Sequence, residues 1–166
     1  MTRLLSPYTH PRRGLRSALW RFVSCTVYRL IPSPAYRFRR AVLMGFGARL
    51  DPTSRVRGGV RISEPWNLTM GRKSSIGEGA TIWACAPVRI GDRTVVSQYC
   101  FLTSSQRVGT QECPMPIEIG DDVWIATESV VVGARSVVSD SVDRWTIATG
   151  QPARSRRERE YQGVRS

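Results

Sequence analysis

From Val56 to Leu102 the chain reads VRGGVRISEPWNLTMGRKSSIGEGATIWACAPVRIGDRTVVSQYCFL, and an aliphatic residue returns in it about every six positions. Met70, Ile76 and Ile82 keep that spacing; after two extra residues, Val88-Arg89, the beat resumes at Ile90, Val96 and Leu102. A small residue follows several of them, as in Met70-Gly71, Ile76-Gly77, Ile90-Gly91 and Val96-Ser97. A period of six suits neither a helix, which wants 3.6, nor a simple strand, which wants 2. It suits a parallel β-helix, in which each unit is a short strand plus a tight turn and three units close a triangular coil of roughly eighteen residues. The aliphatic side chains then stack inward from coil to coil, and the small residue sits where a Cβ would crowd the bend. An antiparallel β-sandwich is the competing reading. It calls for hairpin dipeptides such as Asn-Gly or Asp-Gly, and none occurs.

Around this stretch, 166 residues are enough for one domain with a real core. The net charge of +12 is unevenly placed. Residues 1–50 hold ten Arg and no acid (+10). Residues 51–152 hold nine Arg, one Lys and eleven acids (−1), and residues 153–166 hold five Arg and two Glu (+3). A neutral body with basic ends suits an anionic partner: a membrane surface, a nucleic acid or a phosphorylated cofactor. No aromatic stacking module accompanies the arginines, so nucleic acid is not expected. The four cysteines, Cys25, Cys85, Cys100 and Cys113, form no CxxC and no secretory signal precedes them, which points to a reducing cytoplasm. Cys85 and Cys100 fall in the repeat and read as small buried hydrophobes. No metal site is expected, because the single histidine, His10, lies in the Pro/Arg-rich leader.

Residues 1–50 read as a basic leader followed by a helical cap. Leu15, Leu19, Phe22, Val23, Val27 and Leu30 recur at helical spacing with Arg16, Arg21 and Arg29 between them, until Ile31-Pro32. The run is too short and too interrupted by Arg to span a bilayer. Ser33-Pro34 reads as an N-cap with Pro at the first helical position. Phe38, Val42, Leu43 and Phe46 line one face of the second helix, which Gly45 and Gly47 stop. This pair can cover the open end of the β-helix, since exposed strands invite edge pairing. It can also lie on an anionic membrane face. Residues 51–154 form the repeat domain. Between Ser104 and Met115 the beat breaks, giving a polar loop thrown out from the prism and the first place to seek a site. It restarts at Ile117 and runs through Ile119-Gly120, Ile125-Ala126 and Val132-Gly133. Residues 155–166 read as a charged, frayed tail.

Several motifs in order resemble the hexapeptide-repeat O-acetyltransferases, nearest to the colanic acid branch, with maltose and nodulation acetyltransferases as wider relatives. They are Pro65-Trp66-Asn67-Leu68-Thr69-Met70-Gly71, Ala86-Pro87-Val88-Arg89-Ile90-Gly91-Asp92 and Val96-Ser97-Gln98, then Ile119 to Ala126, Val132 to Val138 and Gly150-Gln151-Pro152-Ala153-Arg154. The resemblance covers about residues 15–158. It implies a left-handed parallel β-helix that forms a homotrimer, with acetyl-CoA as co-substrate in the crevice between subunits. A sugar or lipid-linked saccharide hydroxyl would accept the acetyl group. Carried over by motif, Trp124, Ile125 and Ala126 flank the pantetheine, Gly133, Ala134, Arg135 and Ser136 continue its path, and Gly150, Pro152 and Arg154 sit near the nucleotide. Trp66, Asn67, Gly79, Ala84 and Ser105 fall at acceptor positions.

In the family a histidine in the excursion loop is the general base on the acceptor hydroxyl, which is a poor nucleophile until it loses its proton. Here that position falls on Arg107, or on Gln106 one residue earlier, and neither serves as a base at neutral pH. Glu112 is the only acid in the loop. Between Ile125-Ala126 and Val132-Gly133 the chain is also shorter than the family by about eleven residues, which leaves an odd residue, Val131, to be absorbed as a bulge. Two functions follow: an acetyl-CoA-dependent sugar O-acetyltransferase of surface polysaccharide biosynthesis, or a catalytically silent β-helix with a binding or assembly role.

Overall fold

The computed structural model describes residues 14–32, 34–108, 111–132, 146–149 and 154–158; of Val27, Arg29, residues 106–108 and 111–113, Val132, and residues 146–149 and 154–158 it describes the backbone alone. The inward aliphatic residues divide the body into three faces of four parallel strands each. The first face holds β1 (Arg49–Leu50), β4 (Leu68–Met70), β7 (Val88–Ile90) and β12 (Ile117–Ile119). The second holds β2 (Arg55–Val56), β5 (Ser75–Ile76), β8 (Val95–Val96) and β13 (Trp124–Ile125). The third holds β3 (Arg61–Ile62), β6 (Thr81–Trp83), β9 (Phe101–Thr103) and β14 (Val130–Val132). This is the parallel β-helix that the sixfold beat predicts, wound as four coils.

Register puts the aliphatic residues in three columns. Leu50, Met70, Ile90 and Ile119 stack on the first face. Val56, Ile76, Val96 and Ile125 stack on the second, and Ile62, Ile82, Leu102 and Val131 on the third. Val56, Ile76, Ile82, Val96 and Leu102 are wholly buried. At the bends the small residue is required by close approach rather than by an unusual φ. A Cβ on Gly77 would lie 2.5 Å from the carbonyl carbon of Ser97 on the next coil.

Four expectations are corrected here. A coil has twenty residues rather than eighteen, since Leu50 pairs with Met70 and Met70 with Ile90. The two extra residues sit at the corner between the third and first faces in each coil. They give the first-face strands a second inward residue, Leu68, Val88 or Ile117, so the wider side is filled rather than hollow. Val131 is no bulge: it pairs with Leu102 in an unbroken register. The Ser104–Met115 excursion is an antiparallel hairpin, β10 (Ser105–Val108) with β11 (Gln111–Pro114), rather than an irregular loop. The tail holds a second hairpin, β15 (Thr146–Thr149) with β16 (Arg154–Glu158), so pairing continues into the segment read as frayed.

Before β1 come three helices, α1 (Leu15–Cys25), α2 (Val27–Leu30) and α3 (Tyr36–Gly45). The first helical run is broken at Thr26, whose φ of −108° and ψ of −91° lie outside the helical region. The second helix starts at Tyr36 with Ala35 as its N-cap, and Ser33 lies outside the described residues. The Ala35 N–H instead donates to the Pro32 carbonyl, a turn that keeps Pro34 ahead of the helix.

In the first coil, alternate backbone groups have no neighbouring coil to pair with. The helices supply the missing donors. Trp20 Nε1 donates to the Ile62 carbonyl at 2.9 Å, and the buried Arg39 guanidinium donates to the Val56 carbonyl at 3.0 Å and the Ile31 carbonyl at 2.6 Å. Arg40 donates to the Pro52 carbonyl. Trp20, Leu43 and Tyr28 bury with the first coil's core, and burial pushes the Tyr28 hydroxyl well above its ordinary value, against the pull of the Arg39 charge. Outside the prism, Arg72–Asp92, Arg89–Glu118 and Arg93–Asp122 pair between successive coils. The Arg72 backbone N–H and guanidinium, both donating to Asp92, hold its carboxyl below the usual carboxylate range. Such exposed pairs contribute little each.

Arg39→Met keeps the bulk but leaves the Val56 and Ile31 carbonyls without donors. It should cost about 3 kcal/mol, read as a lower urea midpoint with an unchanged slope.

Candidate active site

Three corners join the faces, and the third, between β6 and β7 and between β9 and β12, carries the excursion. Its polar groups are stacked coil over coil. Asn67 Nδ2 donates to the Ala84 carbonyl at 2.7 Å and to Glu64 Oε2 at 3.1 Å. The Ala84 N–H donates to Ser63 Oγ, and the Ala86 N–H to Ser104 Oγ, both at 2.8 Å. Ser104 is fully buried, and its backbone N–H and carbonyl bond the Trp83 carbonyl and the Met115 N–H. Ser104 is thus the root from which β10 leaves and to which the chain returns after β11. The hairpin's register sets Gln106 opposite Cys113 and Arg107 opposite Glu112.

Of the acceptor positions, Asn67, Ala84 and Ser105 meet at this third corner. Ala84 is wholly buried and offers only its backbone. Trp66 is nearby but covered, with the Arg16 guanidinium 4.7 Å above its ring. Gly79 is elsewhere, at the second corner between β5 and β6, with a φ of +69°. A Cβ there would come within 2.6 Å of the Tyr99 ring, so this position serves the turn and cannot reach the hairpin root.

Of the positions expected to hold coenzyme, Trp124, Ile125 and Ala126 lie on the fourth coil. Trp124 is 61% exposed on the outer side of β13, and its Nε1 donates to Ser97 Oγ at 2.8 Å. Ile125 turns its side chain toward the core, and its carbonyl accepts from the Ser97 N–H at 3.0 Å. Ala126 is exposed and its carbonyl accepts from Cys100 Sγ at 3.0 Å. Burial raises the Cys100 thiol, which keeps it protonated. Arg154 begins β16, opposite Thr149; Gly133, Ala134, Arg135, Ser136, Gly150 and Pro152 lie outside the described residues.

Sequence reading missed the outward column beside the inward one. On the second face it runs Arg55, Ser75, Val95, Trp124, and on the third Arg61, Thr81, Phe101, Val130. Both change from basic to apolar along the prism, while the first face stays polar with Arg49, Thr69, Arg89 and Glu118. Val95, Tyr99, Phe101, Trp124 and Val130 remain exposed on the last two coils, and Trp83 on the second. The signal was present as doublets, Val95-Val96, Phe101-Leu102, Trp124-Ile125 and Val130-Val131.

A stacked prism with a hairpin thrown from one corner and an aromatic shelf on its last coil can be compared with known proteins. The chain is 32% identical over 175 aligned positions to the "Putative colanic acid biosynthesis acetyltransferase WcaF" of Escherichia coli, covering 93% of this chain and 96% of that one. The chain belongs to this family of hexapeptide-repeat acetyltransferases. The counterpart in Shigella flexneri matches equally. Two crystal structures share the left-handed β-helix. The maltose O-acetyltransferase of Clostridium difficile 630 superposes with a TM-score of 0.71 at 19% identity, over 88% of this chain and 87% of that one. A hexapeptide-repeat-containing acetyltransferase from Vibrio cholerae gives 0.67 at 15%, over 88% and 92%. A scan of protein-family models returns no match. Nothing in these similarities favours a silent β-helix.

Ser104→Ala removes the acceptor for the Ala86 N–H at the hairpin root. Amide exchange at Ala86 should accelerate and stability fall by about 1–3 kcal/mol, with amides at the other two corners unaffected.

Proposed function

We propose that this acetyltransferase moves the acetyl group of acetyl-CoA onto a sugar hydroxyl in surface polysaccharide biosynthesis. The observation that carries the reading is the 32% identity to the colanic acid biosynthesis relative across nearly the full length of both chains. The acceptor hydroxyl binds at the third corner beside Ser105 and the hairpin, and its oxygen attacks the thioester carbonyl while a base takes its proton. The thiolate leaves and is reprotonated. With Gln106 and Arg107 at the family's histidine position, Glu112, in register with Arg107, takes the role of base.

The exposed apolar residues of the late coils support a homotrimer. Burying Phe101, Val130 and Trp124 between neighbours relieves an apolar patch that water would otherwise face. It also closes a crevice at Trp124 for the pantetheine arm, and Arg154, carried over by motif, is the residue assigned to the nucleotide phosphates. The enzyme works in the cytoplasm at the inner face of the membrane, reached through its basic N-terminal region, where lipid-linked saccharides are presented.

Glu112→Gln should lower kcat by about a hundredfold or more with little change in KM, measured as coenzyme A release with an acetylatable saccharide. Arg107→His or Gln106→His in that background should restore part of it. Wild-type rates in Glu112→Gln would remove Glu112 as the base.

Phe101→Arg places a charge inside the proposed subunit contact. Light scattering after gel filtration should then show a single chain of 18.6 kDa where the parent gives a trimer.

A further inference from the structure

The helical cap buries one side and leaves a second apolar side uncovered. Trp20, Leu43 and Arg39 face the first coil, whereas Leu15, Leu19 and Phe22, spaced four and three apart on α1, form a ridge that points away from it. Phe38, which shares a face of α3 with the buried Leu43 in the sequence pattern, is also exposed. Leu30 and Phe38 instead rim a shallow cleft with Ile31, Pro32 and Ala35. Phe22 is 67% exposed and Leu30 82%. Arg21 and Arg37 are exposed on the same two helices. Residues 1–50 themselves contain no acidic side chain.

We propose that the Leu15–Leu19–Phe22 ridge and the Leu30–Phe38 cleft rim dock the cap onto an anionic phospholipid bilayer. The apolar side chains enter the acyl boundary and Arg21 and Arg37 lie at the phosphate level. Charge argues for this occupant over a second copy of the chain. Cap-to-cap contact would bring two segments of +10 together with no acid on either side. An anionic surface instead gains about one kcal/mol, or fivefold in partitioning, for each arginine it meets. Spanning is not the mode, since no described helix is long and apolar enough to cross a membrane. The inference rests on the location given under the proposed function and names the surface responsible for it.

The test is co-sedimentation of the full chain with sucrose-loaded vesicles of phosphatidylcholine, with or without phosphatidylglycerol. The parent should bind the anionic vesicles and leave the neutral ones. Arg21→Gln with Arg37→Gln should weaken partitioning by about thirtyfold, and Leu19→Ser with Phe22→Ser by about tenfold or more. Each pair should leave the melting temperature within a few degrees of the parent. Equal binding to both vesicle types, no binding to either, or a ridge variant that binds like the parent overturns the proposal. So does a ridge variant that changes oligomeric state while still binding vesicles, which would assign the ridge to a second copy. Acetyl-CoA consumption with a soluble saccharide is followed in parallel. Lost docking with intact transfer rejects this inference alone, and intact docking without transfer rejects the function alone.

Discussion

Backbone pairing between coils ties every strand to the ones above and below it, so each coil must match its neighbours residue for residue. That constraint explains the columns. Ile76 has to lie over Val56 and under Val96 because Ser75 pairs with both Arg55 and Val95. A slip of one residue would turn the whole column outward and bring charged neighbours such as Arg55 and Arg61 in. The inward aliphatic stack therefore fixes register, and register places every outward side chain.

The same rule sorts the molecule into regions with different work. Early coils carry Arg outside and receive the helices, whose Trp20 and Arg39 satisfy the Ile62 and Val56 carbonyls. Late coils carry Phe101, Trp124 and Val130 outside. The third corner, wider by two residues per coil, is where Asn67, Ala84, Ser104 and the hairpin converge. The helical cap, the hairpin corner and the exposed apolar late coils are thereby separate surfaces of one column.

The fold was legible because six-residue periodicity is a global property that survives local exceptions. The twenty-residue coil was half visible, in Val88-Arg89, but the same pair of extra residues before Met70 went unread because Leu68 is itself aliphatic. Turn chemistry was harder to read. Gly77 is needed for closeness, yet the left-handed residue at that corner comes two positions later and is Gly59, Gly79, Tyr99 or Glu128 in successive coils. Residue type alone does not mark it. The helices' apolar stripe was legible, but not that Trp20 and the buried Arg39 take the inner face through hydrogen bonds to coil carbonyls, which periodicity cannot reveal. Among the positions carried over by motif, Asn67, Ala84 and Ser105 were grouped, and the structure brings them to the third corner. The motifs also grouped Gly79 with Ala84, although the two stand at different corners.

Three coils repeat every twenty residues, but Ile90 pairs with Ile119, a step of 29 that leaves nine residues for the excursion. The strands on either side remain in step. The prism is therefore indifferent to how long the excursion is, provided Ser104 anchors its departure and Ile117 resumes over Val88. Such an arm can change length by insertion or deletion while the stacking above and below it stays in register, which makes this corner a natural splice point between relatives.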